Sequence, residues 1–466
     1  MTTSRADLPL VVDRADPSPL SAQLVSQLRS AVTSGVVLAG ERLPSSRDLA
    51  ATLGVSRTVV TTAYIQLFAE GWLEGRHGAG TYVAEVTPAA APAYATGHAM
   101  ATPVARTSTP RPGNGAPSAP IELRPGIPWA AGIEPGMWRR AWRHAGTRPP
   151  SSWPDGLGVP ELRAGLVHYL RRSRALNVTP DQILITRGVS NGLTAIAAAL
   201  MRPGDRAGVE EPGYQSAREV LSRAGAEVVP CRVDFRGIVP EELPAGLRLL
   251  YTTPAHQYPL GGRLPVTRRQ ALTAWARATG ALIVEDDYDG EFRYDVAPLP
   301  ALYSMDPEVV IYLGTTSKTL TPVMGAGWLV ASPDLVSLLA RRRREISERV
   351  PEPVQYALLA LLSSGDLERH VRRMRLEYAR RRAVLVEVLA PARLLGDTAG
   401  MHVVLELPPD RPAADVVAAA AERGVAVCTV DRYYAGRPAL NAIALGYGAT
   451  PRRRLRAAAT ILRDLL

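Results

Sequence analysis

The chain has 466 residues, enough for two or three domains, and 46% of them are hydrophobic and 21% charged, as in ordinary globular proteins. No apolar run is long enough to cross a bilayer, and the first twenty residues lack the apolar segment of a signal peptide. Two cysteines, Cys231 and Cys428, cannot form a disulfide framework. We therefore expect a cytoplasmic protein with no membrane association.

Lysine use is unusual in this chain. Of its 54 basic residues, Lys318 is the single lysine and all the others are arginines. Lysine differs from arginine in that it can lose its proton and bond covalently to a carbonyl carbon. Lys318 is therefore a candidate for covalent chemistry, and the alternative is a lysine without a role.

Residues 1–84 have the pattern of a helix-turn-helix followed by a small hairpin. Ser45 or Ser46 is placed to cap a short helix, Gly54 supplies the turn that ends it, and Ser56 caps the next helix. The predicted elements are an amphipathic helix at Leu20–Ser34, a helix at Arg57–Glu70, and a wing formed by Leu73–Arg76 and Thr81–Ala84.

The pattern of residues 1–84 predicts a DNA-binding surface. The start of the second helix faces phosphates and base edges, the first helix contacts the backbone, and the wing enters the minor groove. The alternative is a protein-interaction module, which the zero net charge of residues 1–84 favours. The candidate DNA-binding residues are Ser56, Arg57 and Thr58 at the second helix, Arg47 on the first, and His77 and Gly78 in the wing.

The rest of the chain begins after a segment rich in alanine and proline. Residues 85–120 show no hydrophobic period, which predicts a flexible linker. Residues 121–466 alternate β-rich and helical patterns, which predicts an α/β domain with a mainly parallel sheet, followed after Ser332 by a smaller α+β subdomain. The predicted strands are Ile183–Thr186, Glu227–Arg232, Leu247–Thr252, Ala281–Glu285 and Val309–Leu313, and the predicted helices are Asn191–Leu200, Tyr214–Ala224 and Val266–Thr279.

An acid and the single lysine follow two successive strands. Asp286 comes at the end of one apolar strand, and Lys318 lies shortly after the next. Pyridoxal phosphate needs a lysine for its aldehyde and a carboxylate that keeps its pyridine nitrogen protonated. The turn Thr186–Asn191 leads from a strand into a helix whose first N–H groups suit a phosphate, and Tyr214 can lie on the pyridine ring. This combination predicts a pyridoxal phosphate site.

Two other uses of this region are open. The acid-rich run Glu285–Glu291 is an alternative divalent-metal site, although its acids do not have the usual loop spacing. A dinucleotide fold could use the same type of sheet. Its glycine fingerprint is missing, since Gly325-Ala326-Gly327 alone is a weak match in the wrong place.

Motifs in both regions resemble known families. Gly40–Ala50, Leu53–Val59 and Gly78–Val83 resemble the winged helix of the GntR family, whereas Thr253–Gly261, Glu285–Tyr294 and Ser317–Leu320 resemble fold-type I aminotransferases. The combination is similar to the MocR subfamily of regulators. It implies a winged helix at 1–84, a linker at 85–120 and an aminotransferase-like domain at 121–466. It further implies a homodimer that binds a double-stranded DNA operator and a small effector, either pyridoxal phosphate or an amino compound.

The resemblance also assigns roles to the cofactor residues. Lys318 would form the internal aldimine, Asp286 would pair with the ring nitrogen, and Tyr288 would reach the phenolic oxygen. Tyr214 would stack on the ring. The remaining cofactor-binding residues, which would help to hold the phosphate, are Thr315, Val189 and Ser190.

The sequence departs from the family at two arginine positions. The phosphate-binding arginine seven residues after the lysine is replaced by Gly325, which weakens the expected cofactor affinity. The arginine that often grips a substrate carboxylate is replaced by Ala444, which counts against an ordinary aminotransferase clamp. We therefore expect a regulator that senses pyridoxal phosphate without turnover and controls vitamin B6 genes. The alternatives are an active aminotransferase with a DNA-binding domain and a cofactor-free regulator with a relict pocket.

Overall fold

The computed structural model describes residues 10, 12–14, 16–33, 36–76, 80–84 and 120–466. The predicted linker, except Pro120, and the wing residues His77 and Gly78 lie outside them. The chain forms two compact units. One contains residues 1–90 together with 265–274, and the other contains the remainder.

The first unit is a winged helix-turn-helix, as predicted. Gly54 ends the second helix with a left-handed φ of 60°, and Arg29 pairs with Glu70 at 2.7 Å to join the first helix to the third. The second wing strand begins one residue earlier than predicted. The elements are α1 (Leu20–Thr33), α2 (Ser46–Leu53), α3 (Arg57–Glu70), β1 (Leu73–Arg76) and β2 (Gly80–Val83).

The second unit has the predicted α/β architecture with a smaller α+β subdomain. Up to the end of its main sheet, its elements are β3 (Ile121–Glu122), α4 (Pro135–Gly146), α5 (Pro160–Arg174), β4 (Ile183–Thr186), α6 (Val189–Leu200), β5 (Arg206–Glu211), α7 (Gln215–Arg223), β6 (Glu227–Asp234), β7 (Gly237–Ile238), β8 (Leu247–Thr252), β9 (Leu282–Asp287), β10 (Val310–Thr315) and β11 (Gly327–Val330). Helix α8 (Val266–Thr279), which lies between β8 and β9 in the chain, belongs to the first unit up to Ala274 and to the second from Trp275. The elements that follow are α9 (Pro333–Glu345), α10 (Glu352–Ser363), α11 (Asp366–Leu389), β12 (Leu394–Leu395), β13 (His402–Glu406), α12 (Ala413–Glu422), β14 (Val425–Ala426), β15 (Cys428–Thr429), β16 (Ala442–Gly446) and α13 (Arg452–Arg463).

The main sheet has the strand order β4-β11-β10-β9-β8-β5-β6-β7. Its central strands β10, β9, β8, β5 and β6 are parallel, whereas β11 is antiparallel to both of its neighbours. Strands β4 and β10 are buried along their whole length, because helices cover both faces of the sheet. The smaller subdomain carries a four-stranded sheet of order β12-β13-β16-β15.

Several predicted boundaries shift, and three strands of the main sheet were not predicted. Helix α6 begins at Val189 rather than Asn191, and α7 begins after Tyr214, which is its N-cap residue. Strands β9 and β10 end two residues later than predicted. The unpredicted strands are β5, whose charged ends obscure a short apolar centre, the two-residue β7 and the antiparallel β11.

A buried ion-pair network ties α5 to β9. Arg174 pairs with Asp287 and also with Glu291, 2.9 Å away, and side chains of Arg174 and Asp287 are each 2% exposed. The hydroxyls of Tyr312 and Tyr169 donate to Asp287 and Glu291 at 2.8 and 2.7 Å. A buried charge needs such partners, since its hydration is lost.

We predict that Arg174→Met lowers the free energy of unfolding by about 3–5 kcal/mol, because it leaves two carboxylates buried without their cation. The control is Arg172→Met, on the same helix. Arg172 pairs with Glu368 but is 60% exposed, and its loss should change the free energy of unfolding by less than about 1 kcal/mol. Equal urea midpoints for the two variants would contradict this role of the network.

Candidate cofactor site and DNA-binding surface

Parallel pairing of β9 and β10 brings Asp286 and Lys318 to one edge of the sheet. In that ladder Asp286 lies opposite Leu313, and Lys318 follows the end of β10 by three residues. The carboxyl ends of parallel strands are where open α/β sheets bind ligands. The placement of these two residues matches the prediction.

A cavity of about 280 Å³ opens at this edge. All seven residues predicted to bind the cofactor line it, and seven others join them. The cavity is lined by Gly126, Arg187, Gly188, Val189, Ser190, Asn191, Tyr214, Thr253, Tyr258, Asp286, Tyr288, Thr315, Ser317 and Lys318.

Asp286 has one satisfied oxygen and one unsatisfied oxygen. The hydroxyl of Tyr251, on neighbouring strand β8, donates to Oδ2, whereas Oδ1 is buried without a hydrogen-bond partner. Burial raises the pKa of Asp286 to about 8, although the hydrogen bond from Tyr251 opposes the shift. A protonated pyridine nitrogen in the cavity would give Oδ1 a charged donor. The residue therefore fits a pyridoxal ring.

The side-chain amine of Lys318 is held by a hydrogen bond close to the end of β10. Its Nζ donates to the carbonyl oxygen of Gly126 at 2.7 Å. Burial lowers the pKa of the Lys318 amine, while the carboxyl groups of Asp286 and Asp289 oppose that shift. A lowered pKa increases the fraction of neutral amine, the form that attacks an aldehyde.

The start of α6 forms a polar cradle. Gly188 precedes the helix with a φ of 119°, and a Cβ atom there would lie 3.3 Å from Thr315 Oγ1. Thr315 donates its hydroxyl to Ser317 Oγ at 2.9 Å, and Ser190 lies in the first turn of the helix. Free N–H groups at a helix start, with hydroxyls beside them, suit a phosphate.

The cationic side chain at this cradle is Arg187. It lines the cavity next to Gly188 and pairs with Glu348 at 2.6 Å. Gly325, where the family arginine is missing, has a left-handed φ of 59° that is unfavourable for an arginine. Arg187 lies within the predicted phosphate-binding turn Thr186–Asn191, but no role was predicted for its side chain.

Tyrosines form the wall of the cavity. Tyr214 stacks on Tyr251 with ring centres 6.4 Å apart, and Tyr258 packs edge-on against it at 6.1 Å. The Tyr214 hydroxyl lies 3.4 Å from Ser190 Oγ, close to the phosphate cradle. These contacts orient the Tyr214 ring before any ligand arrives.

Tyr288 is backed by a buried histidine cluster. Its hydroxyl lies 3.0 Å from His256 Nδ1, and Asp289 Oδ2 lies 3.0 Å from the same nitrogen. His402 packs on His256 with ring centres 5.0 Å apart, and burial lowers the pKa of His402 to about 4. Among the described residues these two histidines and Asp289 bring three potential metal-ligand atoms within 4.8 Å of one another.

The acid-rich run does not form a single acidic cluster. Strand geometry sends alternate residues to opposite faces, so Asp286 faces the cavity while its neighbours do not. Glu285 accepts the N–H groups of Leu302 and Tyr303, and Asp287 pairs with Arg174. Glu285 and Asp287 therefore have different structural partners, and Asp287 shares Arg174 with Glu291.

Several cavity residues were not assigned from the sequence. Ser317 adjoins Lys318 and could have been found by that position alone. Gly126, Thr253 and Tyr258 come from distant segments, and Tyr251, which holds Asp286, requires knowledge that β8 neighbours β9.

The helix-turn-helix surface has the predicted caps. Ser45, rather than Ser46, caps α2 by accepting the N–H of Asp48, and Ser56 caps α3 by accepting the N–H of Val59. Arg57 Nε donates to Ser46 Oγ at 3.4 Å, which links the two helices. The predicted residues Arg47, Ser56, Arg57 and Thr58 are all exposed.

Comparison with known proteins finds a matching family for each of the two parts of the chain. Residues 20–83 match the gntR family of bacterial regulatory proteins, and residues 131–440 match the class I and II aminotransferases. The chain is 37% identical to the pyridoxine biosynthesis transcriptional regulator PdxR of Corynebacterium glutamicum over 97% of each protein. It is 34% identical to the probable rhizopine catabolism regulatory protein MocR of Rhizobium meliloti, over 98% of this chain and 95% of that protein. The chain belongs to the MocR subfamily of GntR-type transcriptional regulators.

Its second unit has the fold of an enzyme family. An archaeal alanine:glyoxylate aminotransferase superposes with a TM-score of 0.70 and 26% identity, over 74% of this chain and 90% of that structure. The predicted fold class, a winged helix joined to a fold-type I domain, is thus confirmed. Within the part of the chain that the structure describes, no helix combines the length and apolar character needed to cross a membrane.

We predict that Asp286→Asn changes the pH dependence of stability in the cofactor-free protein. The raised pKa of Asp286 means that its contribution is full below about pH 4 and is lost as the pH rises towards 8. The free energy of unfolding of the variant, relative to wild type, should therefore increase between about pH 5 and pH 8. Asp410→Asn, at an exposed site, should show no such trend. Parallel pH curves for wild type and Asp286→Asn would contradict the burial argument.

Proposed function

We propose that this regulator binds pyridoxal phosphate in the cavity around Lys318 and uses its occupancy to control operator binding. The observation that carries the proposal is the unpartnered Oδ1 of buried Asp286, in a cavity shared with Lys318. Lys318 would bond the aldehyde, Asp286 the ring nitrogen and Tyr288 the phenolic oxygen, with Tyr214 on the ring. The phosphate would rest against Val189, Ser190 and Thr315. When bound, the cofactor supplies an electrophilic carbon that can be captured by an amine.

The phosphate contacts support modest affinity. Gly325 provides no cation, so Arg187 is the residue that we propose to neutralise the phosphate in its place. Arg187 already pairs with Glu348, and the phosphate must compete with that carboxylate. A cofactor of modest affinity changes its occupancy over the concentrations that occur, which is what a sensor requires.

We propose that the protein senses pyridoxal phosphate and does not catalyse transamination. The reason is that Ala444, an apolar residue, stands where aminotransferases often have the arginine that grips a substrate carboxylate. Ala444 is fully buried in a cluster with Val404 and Tyr433. The name of the Corynebacterium relative, a pyridoxine biosynthesis regulator, supports vitamin B6 synthesis or salvage genes as the targets. The intact Lys318 and Asp286 favour a second candidate, an active aminotransferase, which release of a keto acid from amino acids would reveal.

At the operator, we propose that Ser56, Arg57 and Thr58 read the major groove and that Arg47 binds the backbone. His77 and Gly78 remain proposed contacts of the wing. By its subfamily the protein would act as a homodimer, and as a DNA-binding regulator it would work in the cytoplasm.

Reductive trapping tests the cofactor site. Wild-type protein incubated with pyridoxal phosphate and then borohydride should retain the cofactor covalently, whereas Lys318→Ala should not, since no other lysine exists. The N-terminal amine is the remaining primary amine, and mass mapping of the labelled peptide controls for it. Undiminished trapping in Lys318→Ala would refute the assignment.

Operator titration tests the sensing role. Addition of pyridoxal phosphate should change the operator Kd of wild-type protein and leave that of Lys318→Ala nearly unchanged. Pyridoxal without its phosphate should act more weakly, because it lacks the group that the cradle holds. An operator Kd that is identical with and without the cofactor would favour a cofactor-free regulator with a relict pocket.

We predict that Arg57→Ala weakens operator binding more than Arg342→Ala does. Arg57 stands exposed at the start of α3, where a base-edge contact is worth about 1–3 kcal/mol. Arg342 is also exposed, but it lies on α9 and pairs with Glu345 at 3.1 Å. Equal losses at fixed salt would count against α3 as the recognition helix.

A further inference from the structure

The hydroxyl of Tyr288 lies between the cofactor cavity and a buried histidine. Tyr288 lines the cavity, and its hydroxyl oxygen lies 3.0 Å from His256 Nδ1. Burial raises the pKa of the Tyr288 hydroxyl well above its ordinary value, so the group keeps its hydrogen and can act as a donor. A hydroxyl has one hydrogen to give, and the neighbour that receives it decides what this wall of the cavity can bind.

The carboxyl group of Asp289 lies at the same nitrogen of His256. Its Oδ2 and Oδ1 atoms lie 3.0 and 3.2 Å from Nδ1, and the side chains of Asp289 and His256 are 1% and 2% exposed. A carboxylate only accepts hydrogen bonds, so this contact is favourable when Nδ1 carries the hydrogen of the ring. Asp289 therefore selects the tautomer of His256 that has its hydrogen on Nδ1.

The other ring nitrogen of His256 supports the same assignment. Nε2 is buried and has no hydrogen-bond partner among the described residues. With the hydrogen on Nδ1, the bare Nε2 leaves one acceptor unsatisfied. With the hydrogen on Nε2, a buried donor is left unsatisfied and a nitrogen lone pair is also set against the carboxylate of Asp289. The first arrangement is the more stable of the two.

His402, which packs against the ring of His256, carries its hydrogen on the other nitrogen. Its Nε2 atom lies 2.9 Å from the carbonyl oxygen of Pro259, and because a carbonyl oxygen can only accept, Nε2–H is the donor. Burial lowers the pKa of His402 to about 4, which keeps the ring uncharged at neutral pH. His402 therefore brings no positive charge to the cluster, and the two neighbouring histidines are opposite tautomers.

The loop that carries His256 is fixed through its next residue, Gln257. The side-chain amide of Gln257 donates to Glu210 Oε2 at 3.1 Å and to the carbonyl oxygen of Pro212 at 2.9 Å. The N–H of Gly261 donates to the backbone oxygen of Gln257 at 2.7 Å. These bonds hold the loop by protein contacts alone, so the position of the His256 ring does not depend on a ligand.

We propose that Asp289 and His256 are positioning residues that commit the Tyr288 hydroxyl to donate into the cofactor cavity. An Nδ1 atom that carries hydrogen has no lone pair with which to accept, so the hydrogen of Tyr288 stays free for a ligand while its oxygen accepts from Nδ1. The site therefore prefers a ring with an anionic oxygen at this point, such as the phenolic oxygen of pyridoxal phosphate. The inference rests on the proposed function.

The position of the hydrogen on His256 can be measured in the full-length protein without cofactor. With isotopically labelled histidine, long-range proton–nitrogen correlation spectra distinguish the two tautomers of each ring, and the signals lost in His256→Gln identify His256. We expect a hydrogen on Nδ1 of His256, with His402 as an internal example of the Nε2–H form. A His256 ring whose Nδ1 carries no hydrogen would overturn the inference, whether or not the protein binds the cofactor.

Ligand affinity tests the consequence for the cavity. Pyridoxal phosphate is compared with its deoxy analogue, which lacks the phenolic oxygen, by equilibrium dialysis against wild type and three variants of the full chain. Tyr288→Phe removes the donor, and Asp289→Asn removes the charge that selects the tautomer. The control is Asp306→Asn, because Asp306 is likewise a buried acid but pairs with Arg277 outside this cluster.

In wild type and Asp306→Asn, pyridoxal phosphate should bind roughly ten- to a hundredfold more tightly than the deoxy analogue, as expected for a hydrogen bond to a charged oxygen. Tyr288→Phe should lose most of this preference. Asp289→Asn should lose roughly three- to tenfold of it, because the Tyr288 hydroxyl can then donate to His256 instead.

The failures of the inference and of the proposed function are distinguishable. Equal affinities in wild type, a preference retained in Tyr288→Phe, or an unchanged preference in Asp289→Asn would contradict the inference while the cofactor site stands. A parallel loss of affinity for both ligands in Asp289→Asn, with the preference intact, would show a purely structural role and would also contradict it. Wild-type protein that binds neither ligand would refute the proposed function and this inference with it.

Discussion

The burial of one carboxylate beside one amine is the constraint on which the second unit depends. Asp286 and Lys318 are both removed from water, and burial disfavours the charged form of each. Among the described residues, Tyr251 satisfies one oxygen of Asp286, and the buried Oδ1 has no hydrogen-bond partner. An unpartnered buried oxygen costs about 1–3 kcal/mol, and a ligand with a charged donor at that point recovers it. This oxygen is the main support for the proposed cofactor site.

The acidic residues that follow Asp286 in the chain have partners of their own. Because successive residues of β9 face opposite sides of the sheet, Asp287 points away from the cavity into the pair with Arg174. On the next loop, Asp289 holds His256 against Tyr288. The acid-rich run thus divides its carboxylates among different partners.

The central cofactor-site residues and the helix-turn-helix could be predicted from the sequence. Lys318 stood out as the single lysine, Asp286 followed an apolar strand, and caps such as Ser56 marked the helix-turn-helix. These signals are local. The antiparallel pairing of β11 and the partnership of Tyr251 with Asp286 depend on strand order, which local pattern does not specify.

The central claim is that cofactor and operator binding are coupled in one regulator, and reciprocity tests it most directly. The Kd of pyridoxal phosphate should be measured with and without saturating operator DNA, and the operator Kd with and without saturating cofactor, in one buffer. If the sites are linked, both ratios must equal the same factor, which for typical coupling is about 5- to 150-fold. Ratios that both equal one would contradict the account, because the protein would then bind cofactor and DNA independently.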